Sequence, residues 1–161
     1  MIKKKIVVLG IGNLLLKDEG VGIHVVQALK KESLPENVEV VDGSVLGFDL
    51  LPIVQNCDKL IVIDAIKTNE KPGTIFKFNA QDIDIKRDTS VSLHDVDFFQ
   101  VLELAKRLNK LPPTELIAIV PKEIAWGMEL SDCLTEKVPE LTKLVKDEIK
   151  KTSSEKIIER S

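Results

Sequence analysis

The 161-residue sequence predicts an α/β fold: an open, mostly parallel sheet with helices on both faces. Three observations carry this. Apolar runs without polar alternation, Lys5–Gly10 and Lys59–Ile63, are what strands buried on both faces look like. Segments with apolar residues at helical spacing lie between such runs. The two kinds of segment alternate along the chain, as in βαβ units.

The elements follow in order. Lys5–Gly10 is the first strand, broken by Gly10, Gly12 and Asn13. Val21, Val25, Ala28 and Leu29 mark a helix over Gly20–Lys31, and Leu34-Pro35-Glu36-Asn37 ends it. Val38–Val41 is a short strand closed by Asp42-Gly43. Leu46–Val54 reads as a short helix whose far end is blurred by Pro52. Lys59–Ile63 is a strand ending at Asp64-Ala65. Lys71-Pro72-Gly73 turns the chain into Thr74–Phe78, a strand for a sheet edge. Asn79–Ser92 is polar and reads as a loop. Phe98, Phe99, Leu102 and Ala105 define a helix over Val96–Leu108, with Asp95 as its N-cap. After Pro112-Pro113, Leu116–Val120 is another buried strand. Ser131 caps a last helix to about Lys150, in which Pro139 belongs near the first turns or at a kink. Residues 1–152 are expected to form one domain, with 153–161 a polar tail.

Composition excludes several classes. Hydrophobic residues make up 43%, enough for a core, and the net charge of −3 lacks the basic signature of a nucleic-acid binder. Aromatic residues are 4%, too few for a base-stacking platform. No apolar run reaches the roughly 20 residues of a membrane span. Met1–Lys5 before Ile6–Leu9 is a charged run opening a buried strand, since the apolar stretch is too short for a signal peptide. Cys57 and Cys133 are far apart and outside any CxxC spacing, which fits a reducing cytoplasm and inert thiols.

Ligands of such folds bind at the carboxyl ends of strands. After the first strand comes Gly10–Gly22. A third glycine is missing at the dinucleotide position, where Leu15 stands, and no GxxxxGK[ST] pattern is present. Asp18-Glu19 would also repel phosphate at the following helix N-terminus. Spacing favours one of these two acids as a helix cap, leaving the other for chemistry. Asp64 and Asp42 each follow a strand, and each is either a turn or cap aspartate or a functional acid. Only His24 and His94 are present. His24 reads as a packing or surface residue, and His94 sits in Ser92-Leu93-His94-Asp95. Glu19, Asp64 and His94 together form a one-imidazole, two-carboxylate set suited to Ni, Zn, Mn or Fe. Neither HExxH nor GxSxG occurs.

The stretch Val8-Leu9-Gly10-Ile11-Gly12-Asn13-Leu14-Leu15-Leu16-Lys17-Asp18-Glu19-Gly20-Val21-Gly22 resembles the N-terminal signature of the hydrogenase maturation proteases. Val41–Gly47, Val62–Ala65, Ser92–Asp95, Pro121, Gly127 and Leu130-Ser131 extend the resemblance in that family's order, over about residues 5–150. Ser44 departs from it, while the preceding Asp-Gly is kept. The resemblance implies a three-layer αβα sandwich. It implies an endopeptidase that removes a C-terminal peptide from the hydrogenase large-subunit precursor after nickel insertion. Glu19, Asp64 and His94 match the family's nickel-contacting trio, and Asp42 an acid near the cleavage site. Nickel is then supplied by the substrate, and no tightly bound metal is expected in the isolated enzyme. Two other readings remain open on the residues: a phosphate- or nucleotide-binding module using Gly10–Gly22, and a non-catalytic nickel assembly scaffold.

Overall fold

The apolar run Leu60–Ile63 becomes the centre of the sheet. In the computed structural model, which describes residues 3–44, 46–82, 92–93 and 96–155, β3 (Lys59–Lys67) is buried from Leu60 through Ile66. It is flanked by β1 (Ile6–Gly10) and β6 (Thr114–Ile119), both parallel to it. β2 (Val38–Asp42) pairs in parallel with β1 at one edge. β4 (Ile75–Asn79) pairs antiparallel with β6 at the other. The order β2-β1-β3-β6-β4 is the mostly parallel sheet expected, and the antiparallel member is the strand assigned to an edge.

β3 runs four residues beyond the predicted Ile63, so Asp64 lies inside the strand and not after it. An aspartate disfavours strands. Here ladder partners outweigh that preference: Asp64 and Ala65 pair with Ala118 and Ile119 of β6. Ile66 and Lys67 pair with β5 (Ser92–Leu93), antiparallel. Of the expected polar loop, Ala80–Asp82 is a single 3₁₀ turn and 83–91 lie outside the described residues.

Among the described residues, four α-helices cover the two faces. α1 (Val21–Lys30) and α4 (Asp132–Ser154) pack on one, where Val25, Leu29, Leu141 and Val145 meet Ile6, Val8, Ile61 and Ile117. α2 (Leu50–Gln55) and α3 (Val96–Arg107) pack on the other, where Leu50, Val54, Val101 and Leu102 meet Val7, Leu9, Leu60 and Val62. Alternate residues of one strand thus feed two cores, the pleat period at work. The result is the expected three-layer αβα sandwich. Pro52 falls in the first turn of α2, where its missing N–H has no intrahelical acceptor to lose. Ser131 caps α4 as predicted, its Oγ accepting from Leu134 N at 3.4 Å. Pro139 stands in the third turn and the helix runs to Ser154, past the expected Lys150.

α1 approaches the sheet closely because two glycines allow it. A Cβ on Gly22 would stand 2.3 Å from Ile63 O and 2.5 Å from Ile11 O, and one on Gly10 would stand 2.4 Å from Gly22 O. No side chain fits between the helix and the strand ends, so both glycines are required by packing.

Candidate active site

The sheet order reverses between β1 and β3. β1 leads through α1 to β2 on one side, while β3 lies on the other. Chain leaving two such strands diverges and opens a crevice at their carboxyl ends. The connection after β1 carries Glu19, and β3 itself carries Asp64. Gly10 pairs with Ile63, and Ile11 N donates to Ile63 O at 3.0 Å, so Asp64 is the next residue beyond the end of β1. The 3₁₀ turn Lys17–Gly20 that holds Glu19 packs on β3. Glu19 is 5% exposed and Asp64 3%, both unusual for carboxylates. Asp64 Oδ1 accepts from Ala65 N at 2.8 Å, and neither acid lacks an interaction partner.

Asp42 ends β2 directly opposite Gly10. Gly43 N donates to Gly10 O at 2.8 Å, and Asp42 Oδ1 accepts from Ser44 N at 3.0 Å, closing a tight Asx turn. Val38 and Val40 pack in the α1/α4 layer, so the pleat puts Asp42 in that row. Asp64 continues the Leu60–Val62 row on the α2/α3 side. The end of β1 therefore stands between the two aspartates, at a residue without a side chain. His94 and Asp95 lie outside the described residues. Leu93, which precedes His94 in sequence, pairs with Ile66, two residues past Asp64. Among the described residues, no three or more His, Cys, Asp or Glu are grouped to hold a metal ion.

Neither Asp18 nor Glu19 caps α1, contrary to the expectation from spacing. The cap position is Gly20, with no side-chain hydrogen bond. Asp18 is fully buried and reaches across to the segment after β6. Its Oδ2 accepts from Lys122 N at 2.9 Å, Glu123 N at 2.8 Å and Ser131 Oγ at 2.8 Å, and its Oδ1 accepts from Ser131 N at 2.8 Å. Lys17 N to Gly127 O, Gly127 N to Leu15 O and Asp18 N to Glu123 O complete the clamp. Sequence reasoning missed this role because the partners lie more than a hundred residues away. His24, read as a packing or surface residue, is half-buried on α1. Its Nε2 lies 3.1 Å from Met128 O, and since a carbonyl only accepts, that nitrogen carries the proton.

The Gly10–Gly22 loop is no phosphate cradle. The amides of Ile11, Asn13, Leu15, Leu16, Lys17, Asp18 and Glu19 all donate within the protein. Gly12, at φ +140°, is needed because a Cβ there would strike Glu19 O. The glycines let backbone meet backbone, leaving no ring of amides for an anion. Cys57 is buried, donates to Val54 O, and has its thiol pushed up to about 11, by burial first and Asp58 second. It is not a nucleophile.

The chain is thus an α/β protein with a doubly wound sheet and two nearly buried carboxylates at its switch point. Comparison with known proteins gives the family. The family model described as hydrogenase maturation protease matches residues 23–150. The hydrogenase 2 maturation protease of Escherichia coli strain K12 is 32% identical over 74% of this chain and 75% of its own. HupD, a hydrogenase expression/formation protein of Thiocapsa roseopersicina, is 38% identical over 83% of this chain and 62% of its own. The solved hydrogenase maturating endopeptidase HybD of E. coli superposes with a TM-score of 0.84 at 27% identity, covering 92% of this chain and 93% of that one. The chain belongs to the hydrogenase maturation protease family and is an endopeptidase. The family model begins after Glu19 and includes Asp42, Asp64 and His94.

Proposed function

We propose that this enzyme removes a C-terminal peptide from the large-subunit precursor of a nickel–iron hydrogenase, and does so after nickel has been inserted. The observation that supports it is the pair Glu19 and Asp64, nearly buried carboxylates at the switch point of a family member's sheet. Two acids nearly buried at the same end of the sheet are suited to binding a cation. With the His94 imidazole they supply one nitrogen and two oxygen donors, a set suited to nickel that the substrate's thiolates already hold. A precursor without nickel offers this donor set no cation to bind, so selectivity follows from the missing metal. Water attacks the scissile carbonyl and the products are a carboxylate and an amine, the hydrolysis of an aspartic-type endopeptidase. Asp42 is the acid that positions that water, held by its Asx turn on the far side of Gly10.

The test is incubation with nickel-loaded and nickel-free precursor, read by intact mass. Loss of the C-terminal peptide from the loaded form alone is expected. His94→Ala is expected to abolish that mass change while the circular dichroism spectrum stays that of the parent. Cleavage at the parental rate by His94→Ala overturns the trio.

The bound-up amides of the Gly10–Gly22 loop disfavour the nucleotide reading. A scaffold without activity predicts nickel-dependent binding of precursor with no change in its mass.

A further inference from the structure

The sheet's carboxyl rim carries an apolar surface that the chemistry does not use. Trp126, the only tryptophan, is 82% exposed, Met128 56%, Leu15 51% and Ile124 41%. They are neighbours through the backbone. Leu15 O accepts from Gly127 N at 2.9 Å, and Leu16 bridges to Gly127, so Leu15, Trp126 and Met128 flank one junction, with Ile124 two residues upstream of the indole.

We propose that this rim is the docking surface for the folded body of the protein substrate, as distinct from its cleaved tail. The proposal rests on the reading that the substrate is a hydrogenase large-subunit precursor. The segment that presents the indole is fixed rather than loose. Asp18 holds the amides of Lys122, Glu123 and Ser131, Gly127 is bonded on both sides, and His24 meets Met128 O. A large apolar side chain held rigidly in water is an unfavourable arrangement unless a partner covers it. Trp is one of the residues enriched at the hot spots of protein interfaces, because it buries much area at little entropic cost. What the rim is continuous with determines the occupant. Asp18, which fixes this segment, is followed in sequence by Glu19, so a body seated here meets the turn that carries one of the proposed metal-contacting acids. The neighbouring charges, Lys122, Glu123 and Glu129, are of both signs and exposed, so the recognition is apolar and not a single-sign electrostatic patch.

The test uses the full chain, its Trp126→Ala and Ile124→Ser variants, and the nickel-loaded precursor with its extension intact. Binding is followed by titration calorimetry and cleavage by intact mass. Each variant is expected to keep the parental circular dichroism spectrum and kcat, and Trp126→Ala to raise Kd and KM at least tenfold. Unchanged Kd and KM in both variants overturn the docking surface while leaving the proposed reaction standing. Parental binding that weakens in the variants, with no cleavage by any of them, overturns the reaction and keeps the surface. If the parent sediments as a dimer and Trp126→Ala as a monomer, with precursor affinity unchanged, the rim is a self-association surface and the proposal falls.

Discussion

Asp18→Asn tests whether one side chain fixes the crevice wall. The substitution keeps the shape and removes a charge and an acceptor. In the parent, three donors converge on Oδ2 and one on Oδ1, all within 2.8–2.9 Å, at a residue with no solvent exposure. An amide can place its oxygen toward the three, but its NH₂ then faces the Ser131 N–H. That buried amide is left without an acceptor, which costs about 1–3 kcal/mol. The three remaining bonds change from charge-assisted to neutral and lose roughly half their strength. Part of that loss is recovered at Lys122 and Glu123, whose exposed positions admit water. The sum is about 3–5 kcal/mol, a large share of a typical domain's 5–15 kcal/mol. Urea unfolding followed by circular dichroism measures it. Because the same bonds hold the Trp126 segment, the steady-state fluorescence anisotropy of the single tryptophan is expected to fall in the variant. A loss under about 1 kcal/mol with unchanged anisotropy would refute the view that Asp18 fixes the rim.

The remaining predictions concern the two cores and the thiols. Gly22→Ala sets a methyl against the Ile63 and Ile11 carbonyls, neither of which has room to yield, so a loss of at least about 3 kcal/mol is expected in the same urea experiment. Glu148 is buried between α4 and the sheet, with Lys59 Nζ at 3.2 Å and Lys77 Nζ at 2.7 Å. Oε2 receives no well-aligned hydrogen bond, so that contact is chiefly an ion pair. Glu148→Gln is expected to cost about 2–3 kcal/mol, below the range for fully buried pairs because Lys77 stays partly in water. Burial alone would raise the Glu148 carboxyl, but the two ammonium groups outweigh it and hold it below the usual 4.5. Its contribution is therefore present above pH 4.5 and lost as pH falls through the lowered value. The Glu148 carboxylate raises Lys77 above 10.5, so that share is lost only as pH rises past it. The parent–variant difference should accordingly be flat from pH 5 to 10 and shrink outside it (about those limits); a difference that grows in acid would contradict the assignment. Iodoacetamide at mildly alkaline pH is expected to label half-buried Cys133 well before Cys57, whose thiol sits at about 11.

The centre of the sheet was legible in the sequence because β1, β3 and β6 are buried on both faces, and a run such as Leu60-Ile61-Val62-Ile63 leaves few alternatives. Its register limits were not. Asp64 ends an apolar run and so marks a strand end locally, yet β6 and β5 supply ladder bonds that carry the strand to Lys67. The candidate site divides in the same way. The rule that α/β sheets bind ligands at their carboxyl edge directs attention to Glu19, Asp64 and Asp42, and the switch point between β1 and β3 carries the first two on its flanking elements. What no local pattern reveals is the division of labour between adjacent acids. Asp18 and Glu19 look interchangeable as caps, but one has its oxygens committed to donors more than a hundred residues away, and the other stands on the turn against β3. Four donors hold the Asp18 carboxylate to the segment after β6, and the acid beside it stands on a backbone that those four bonds make rigid. The adjacent pair thus divides within one residue: Asp18 fixes the segment after β6, and Glu19 stands on the backbone that those bonds hold.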